Sequence, residues 1–209
     1  MKHIRRFNES KESIEAICQK YNITNYTINE DGSIDVDGSV NLINKGLTKL
    51  PIKFRNVTGS FDCRNNKLVS LEGAPKSLDY SFNCSFNKLT SLEGAPKLVG
   101  GSFYCTNNQL TTLEGAPKYV DGNFHCSYNK LTTLEGAPKS VGEDFYCNNN
   151  QLVNLDFAPS CQSIYCGNNP IHKWWSKIDI SKLDAFIDLG IDARDPDFMN
   201  QEKIDLLLE

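Results

Sequence analysis

Phe103-Tyr104-Cys105-Thr106-Asn107-Asn108-Gln109-Leu110-Thr111-Thr112-Leu113-Glu114-Gly115-Ala116-Pro117-Lys118 is answered 21 residues later by Phe124-His125-Cys126-Ser127-Tyr128-Asn129-Lys130-Leu131-Thr132-Thr133-Leu134-Glu135-Gly136-Ala137-Pro138-Lys139. The same step relates Phe61-Asp62-Cys63, Phe82-Asn83-Cys84 and Phe145-Tyr146-Cys147, and Leu-Glu-Gly-Ala-Pro-Lys opens at Leu71, Leu92, Leu113 and Leu134. A fixed period of this length predicts a solenoid, in which each unit buries its apolar face only by stacking on its neighbours. Within a unit the apolar residues stand two apart and then meet Asn, so each unit contributes a short strand with Phe and Cys inward and the residue between them outward.

Working outward, Val40-Asn41-Leu42 and Ile164-Tyr165-Cys166 extend the series, the last step being 19 residues instead of 21. About seven units then occupy residues 38–171, starting near Gly38, Gly59, Tyr80, Gly101, Gly122, Glu143 and Gln162. Stacking predicts registered columns: Phe61 through Phe145, Cys63 through Cys166, Leu68 through Leu152, and Leu71 through Leu155 at the turn. Asn66, Asn87, Asn108, Asn129, Asn150 and Asn169 predict an amide ladder that satisfies backbone groups where each strand turns. Gly and Pro in the Leu-Glu-Gly-Ala-Pro stretch predict a tight, irregular return without helix.

Solenoid ends need covering. Residues 1–37 carry Ile14, Ile17, Cys18 and Tyr21 at helical spacing, then Tyr26-Thr27-Ile28 and Ile34-Asp35-Val36 around a turn, which predicts a helix and hairpin cap. Residues 172–209 predict a C-terminal cap of three short helices.

The 209 residues carry a formal charge of −4 and are 39 % hydrophobic, an ordinary globular composition with no basic surplus to favour nucleic acid. No apolar run approaches the roughly 20 residues of a membrane span, and the first residues lack the apolar core of a signal peptide, so no membrane association and an intracellular, cytoplasmic location are expected. Of the eight Cys, Cys63 through Cys147 recur at 21-residue steps and Cys166 follows at 19, a spacing that matches no compact zinc motif, and stacked side chains pointing the same way make poor disulfides. Free, buried thiols are expected, with no metal and no cofactor.

The unit Phe-x-Cys-x-x-Asn-x-Leu resembles the leucine-rich repeat, with Phe and Cys at its two strand positions. Leu47-Thr48-Lys49-Leu50-Pro51 is similar to the short bacterial subtype found in secreted effectors of enterobacterial pathogens, although later units replace that Pro with Glu and add a residue. The Leu-Glu-Gly-Ala-Pro-Lys wording and the opening Met1-Lys2-His3-Ile4-Arg5-Arg6-Phe7-Asn8-Glu9 resemble leucine-rich-repeat proteins of large tailed bacteriophages. The resemblance implies a leucine-rich-repeat solenoid with a parallel sheet on its concave face, a mostly irregular convex side and helical caps at both ends. It brings no established activity.

In such a fold the outward strand residues form the concave surface. The middle column runs Asn41, Asp62, Asn83, Tyr104, His125, Tyr146, Tyr165, with Arg64, Ser85, Thr106, Ser127 and Asn148 beside it. Tyr and His stacked at strand spacing offer flat amphipathic surfaces of the kind enriched at interfaces. Asp62, Arg64, Asn83, Tyr104, Thr106, His125, Ser127, Tyr146, Asn148 and Tyr165 are therefore the candidate partner-binding residues. Tyr and His also simply suit strands, and that reading stays open beside the first. Phe86 and Tyr128, replacing Asn one position before the ladder, widen the apolar patch at the strand ends.

Catalysis has little support: there are three His, no Gly-rich phosphate loop, and no nucleophile beside a recognisable base. The reading is a non-catalytic protein-binding module. The phage resemblance implies a bacterial host protein as partner, with inhibition of a defence system as one use. The alternative is a structural or self-assembly role through C-terminal residues Phe198, Met199, Ile204, Leu207 and Leu208.

Overall fold

Each turn makes two short strands. The computed structural model describes residues 14–171. Its strands, in chain order, are β1 (Tyr26–Ile28), β2 (Ile34–Val36), β3 (Val40–Asn41), β4 (Phe54–Val57), β5 (Phe61–Asp62), β6 (Ser77–Leu78) and β7 (Phe82–Asn83). They continue as β8 (Leu98–Val99), β9 (Phe103–Tyr104), β10 (Tyr119–Val120), β11 (Phe124–His125), β12 (Ser140–Val141), β13 (Asp144–Tyr146) and β14 (Ser163–Tyr165). One seven-stranded sheet runs β3-β5-β7-β9-β11-β13-β14 and the other β1-β2-β4-β6-β8-β10-β12. Apart from the β1–β2 hairpin, all pairs are parallel, and Phe pairs with Phe at every step from Phe61↔Phe82 to Phe124↔Phe145. The chain is thus a parallel β-solenoid of about six turns.

The return side, expected to be mostly irregular, carries a second sheet of short strands, two residues each from β6 to β12. Val57, Leu78, Val99, Val120 and Val141 point inward from it and are buried, forming a column opposite the Phe residues. Short as they are, these strands satisfy backbone groups from turn to turn, as Lys97 N–H does by donating to the Lys76 carbonyl at 2.9 Å.

Between the sheets the expected columns are in place. Phe61, Phe82, Phe103, Phe124 and Phe145 are fully buried, with ring centroids 5.1–5.6 Å apart and planes within 22° of parallel. Phe54 closes this stack edge-on at 4.9 Å from Phe61. Burying each such ring contributes about 2–3 kcal/mol. The eight Cys are free thiols, and those from Cys63 to Cys147 are fully buried.

The ladder asparagines join the turns. Asn108 donates to the carbonyls of Cys84 and Cys105, both at 3.1 Å, and accepts from Leu89 N–H at 3.0 Å. Asn87, one turn earlier, and Asn129, Asn150 and Asn169, in the three turns that follow, repeat that pattern. One residue before each rung the backbone turns left-handed, at Asn65, Phe86, Asn107, Tyr128, Asn149 and Asn168 (φ 56–58°). At the opposite corner Gly115 has φ 92°, and a Cβ there would stand 2.5 Å from the backbone of Leu92 and Glu93, so both conformation and space require glycine.

A helix over 14–20 buries Ile14 and Cys18, and the β1–β2 hairpin follows, with β2 pairing parallel to β4. The earlier part of the expected N-terminal helix, the C-terminal helices and the self-assembly residues placed on them lie outside the described residues. Among the described residues no helix is long and apolar enough to cross a membrane.

Candidate functional site

Register builds the site. Parallel pairing sets Asn83 opposite Tyr104, Tyr104 opposite His125, His125 opposite Tyr146 and Tyr146 opposite Tyr165. Side chains of one parity then leave the sheet side by side, about 4.8 Å apart, which is a stacking distance for flat rings. The rings of Tyr104, His125, Tyr146 and Tyr165 form a continuous stack with centroids 4.6, 4.3 and 4.6 Å apart and planes 15°, 5° and 6° from parallel. Tyr104, His125 and Tyr146 are half-buried and Tyr165 is exposed, so the stack offers its edges to solvent.

Earlier in the column short polar side chains replace the rings. Asn41, Asp62 and Asn83 each turn an oxygen back to accept the N–H two residues on, at 3.1, 3.1 and 3.0 Å. The second oxygen of Asp62 pairs with the Arg64 guanidinium at 3.4 Å. Partial burial raises the Asp62 pKa, opposed by the Arg64 N–H and charge. Where the polar column meets the first ring, Asp62, Arg64, Asn83, Phe86, Tyr104 and Thr106 line a groove of about 560 Å³. One face of the Tyr104 ring is covered by His125, and the Asn83 side of the ring borders this groove.

Farther along, the Tyr146 hydroxyl donates to Asp144 at 3.1 Å. Desolvation, and then that carboxylate, raise the Tyr146 pKa. Desolvation lowers the His125 pKa, and the Asp144 charge partly offsets it. His125 is therefore neutral near pH 7.

Not every candidate residue faces outward as expected. Asp62, Arg64, Asn83, Tyr104 and Thr106 meet at the groove, and Tyr104, His125, Tyr146 and Tyr165 meet in the stack. Ser127, expected on the surface, is 8 % exposed. Asn148 is half-buried, and its amide, oriented by its neighbours so that nitrogen faces the Tyr165 carbonyl at 3.0 Å and oxygen the Gly167 N–H at 3.2 Å, is spent inside the fold. Outward parity holds only while the chain is extended, and here it is about to turn left-handed. The two buried serines of this column, Ser85 and Ser127, are the two that precede an aromatic residue, Phe86 and Tyr128.

Phe86 and Tyr128 stand out beyond the ten candidates. Both are more than half exposed, and both occupy a left-handed position that Asn fills at 44, 65, 107, 149 and 168. The sequence signal for them is a break in that Asn column. On the other flank, Ser81, Ser102 and Asn123 accept N–H groups of the next turn at 3.0, 3.0 and 3.1 Å, a second ladder that belongs to the fold.

Among the described residues no group of three or more His, Cys, Asp or Glu side chains stands together as a metal site. No protein-family model matches the chain, and no curated protein matches it.

Proposed function

We propose that the chain is a non-catalytic protein-binding module of leucine-rich-repeat type, using the outer face of the β3–β14 sheet as its concave binding surface. The observation that carries this is the four-ring stack of Tyr104, His125, Tyr146 and Tyr165 beside a groove with Asp62 and Arg64 at its far side. Rings already stacked on one another lose little conformational freedom on binding, and aromatic residues are enriched at interface cores. Ring spacing supports the curvature: 4.3–4.6 Å on this outer face against 5.1–5.6 Å in the Phe column beneath it, as when turns converge toward the outer side. The absence of a basic surplus disfavours nucleic acid as partner. The phage resemblance points to a bacterial host protein, met in the host cytoplasm, with blockade of a defence enzyme as the use it suggests.

The test is capture of partners from bacterial lysate by the wild type and by a Tyr104→Ser, Tyr146→Ser double variant, with thermal unfolding followed in parallel. The expected result is loss of the captured protein with the unfolding midpoint held within a few degrees. Capture that survives the double substitution removes this face as the interface.

A further inference from the structure

Phe86 and Tyr128 have no evident reason to be aromatic if the fold alone is considered. A non-glycine residue in the left-handed region is strained, Asn least so, and five other turns use Asn there. Both rings are more than half exposed, so they gain little from burial. Strained, exposed aromatic residues replacing a favoured Asn mark a surface selected for contact.

Their placement gives that surface a shape. Phe86 and Tyr104 flank one groove, with Ser85 and Thr106 also lining it. Two turns on, Tyr128 holds the same place relative to Tyr146 and Ser127. One ridge is therefore the edges of the ring stack and the other is Phe86 and Tyr128, with the half-buried Asn107 between them. Small hydroxyl residues form the floor of the furrow.

We infer that this furrow binds a proline-rich segment of the protein partner in polyproline II conformation, lying along the solenoid axis. Two parallel-strand steps separate Phe86 from Tyr128, about 9.6 Å. A polyproline II helix presents the same face every third residue, about 9.3 Å. An α-helix repeats about every 5.4 Å and an extended strand about every 6.8 Å, and neither fits that step. The chemistry also matches: polyproline II has no internal hydrogen bonds, its prolines supply only carbonyl acceptors, and the half-buried Asn107 places an amide donor between the two rings along its path. Aromatic ridges are the kind of surface on which prolines pack.

The inference rests on the protein-binding reading, and its test separates the two. Binding of a ten-residue polyproline peptide, a glycine-serine peptide of equal length and cellohexaose is measured by calorimetry on the full chain. The wild type is compared with a Phe86→Asn, Tyr128→Asn double variant, which restores the residue found elsewhere in that column and keeps or raises the unfolding midpoint. Polyproline binding that is at least tenfold weaker in the variant, with no binding of the other two probes, is the expected result. No polyproline binding by the wild type, equal binding by the variant, or binding of cellohexaose in its place overturns the inference. If partner capture still depends on Tyr104 and Tyr146 in those cases, the furrow proposal fails while the protein-binding reading stands.

Discussion

The imidazole of His125 lies face to face with the ring of Tyr146, centroids 4.3 Å apart and planes 5° from parallel, and Tyr104 covers its other face at 4.6 Å. The titratable groups around it are those two phenols and the Asp144 carboxylate. Desolvation lowers its pKa below the ordinary histidine value and Asp144 recovers only part of that shift.

A pH dependence follows. In the unfolded chain this histidine takes up a proton near pH 6.5, whereas the folded chain resists until lower pH. Over that interval the unfolded state binds more protons, so this group's contribution is complete above about pH 7 and is lost as pH falls through the folded value. Urea unfolding at a series of pH values, compared with a His125→Phe variant that keeps a flat ring in the stack, isolates it. The wild type is expected to lose more stability than the variant between about pH 7 and pH 5. Equal losses, or an imidazole pKa at or above 6.5 by NMR titration, contradict the desolvated stack.

The asparagine ladder predicts a contrast between neighbours. Asn108 makes three hydrogen bonds that tie three backbone groups from adjacent turns, and Asn107 beside it holds a left-handed turn. Asn108→Ala leaves the Leu89 N–H without a partner in a buried place and takes one donor each from the Cys84 and Cys105 carbonyls, which keep those of Asn87 and Asn129, a cost of roughly 2–4 kcal/mol. Asn107→Ala loses only a conformational preference, about 1 kcal/mol. Chemical denaturation of the two variants checks the ratio, and similar losses at both positions count against the ladder as the main link between turns.

Sequence periodicity reveals some of these features and hides others, for geometric reasons. Phe103 and Phe124 recur at an unbroken step in parallel register, so stacking of equivalent residues could be read directly, as could the Tyr104–His125–Tyr146–Tyr165 column. The second sheet could not, because Val99 and Val120 are each the one inward residue of a two-residue strand beside the exposed Leu98 and Tyr119. Two residues give no alternation to detect. Strand parity extended past Cys126 and Cys147 points Ser127 and Asn148 outward, but there the chain is already turning toward the left-handed Tyr128 and Asn149. Phe86 and Tyr128 were visible as departures from Asn, but the sequence does not show that the position is left-handed and therefore strained.

The cysteine column predicts chemical silence. Cys84, Cys105 and Cys126 donate their thiols to the carbonyls of Tyr104, His125 and Tyr146, each at 3.3 Å, and burial drives their pKa values well up. Cys161 and Cys166 are only half-buried, and the Cys161 pKa is pushed up to about 11 by partial desolvation and the Asp144 charge. Alkylation requires a thiolate with access to the reagent. Native protein treated with iodoacetamide at mildly alkaline pH is thus expected to label first at Cys161 and Cys166. The column from Cys63 to Cys147 should react on the order of a hundredfold slower or more until the chain unfolds. Peptide mass spectrometry after timed labelling reads each site. Adding zinc or a chelator should leave the unfolding midpoint in place, since thiols stacked in one direction and capped by carbonyls do not converge on an ion. Early labelling of Cys105, or a zinc-dependent rise in the midpoint, would show that these thiols are not simply small apolar residues filling the space between the sheets.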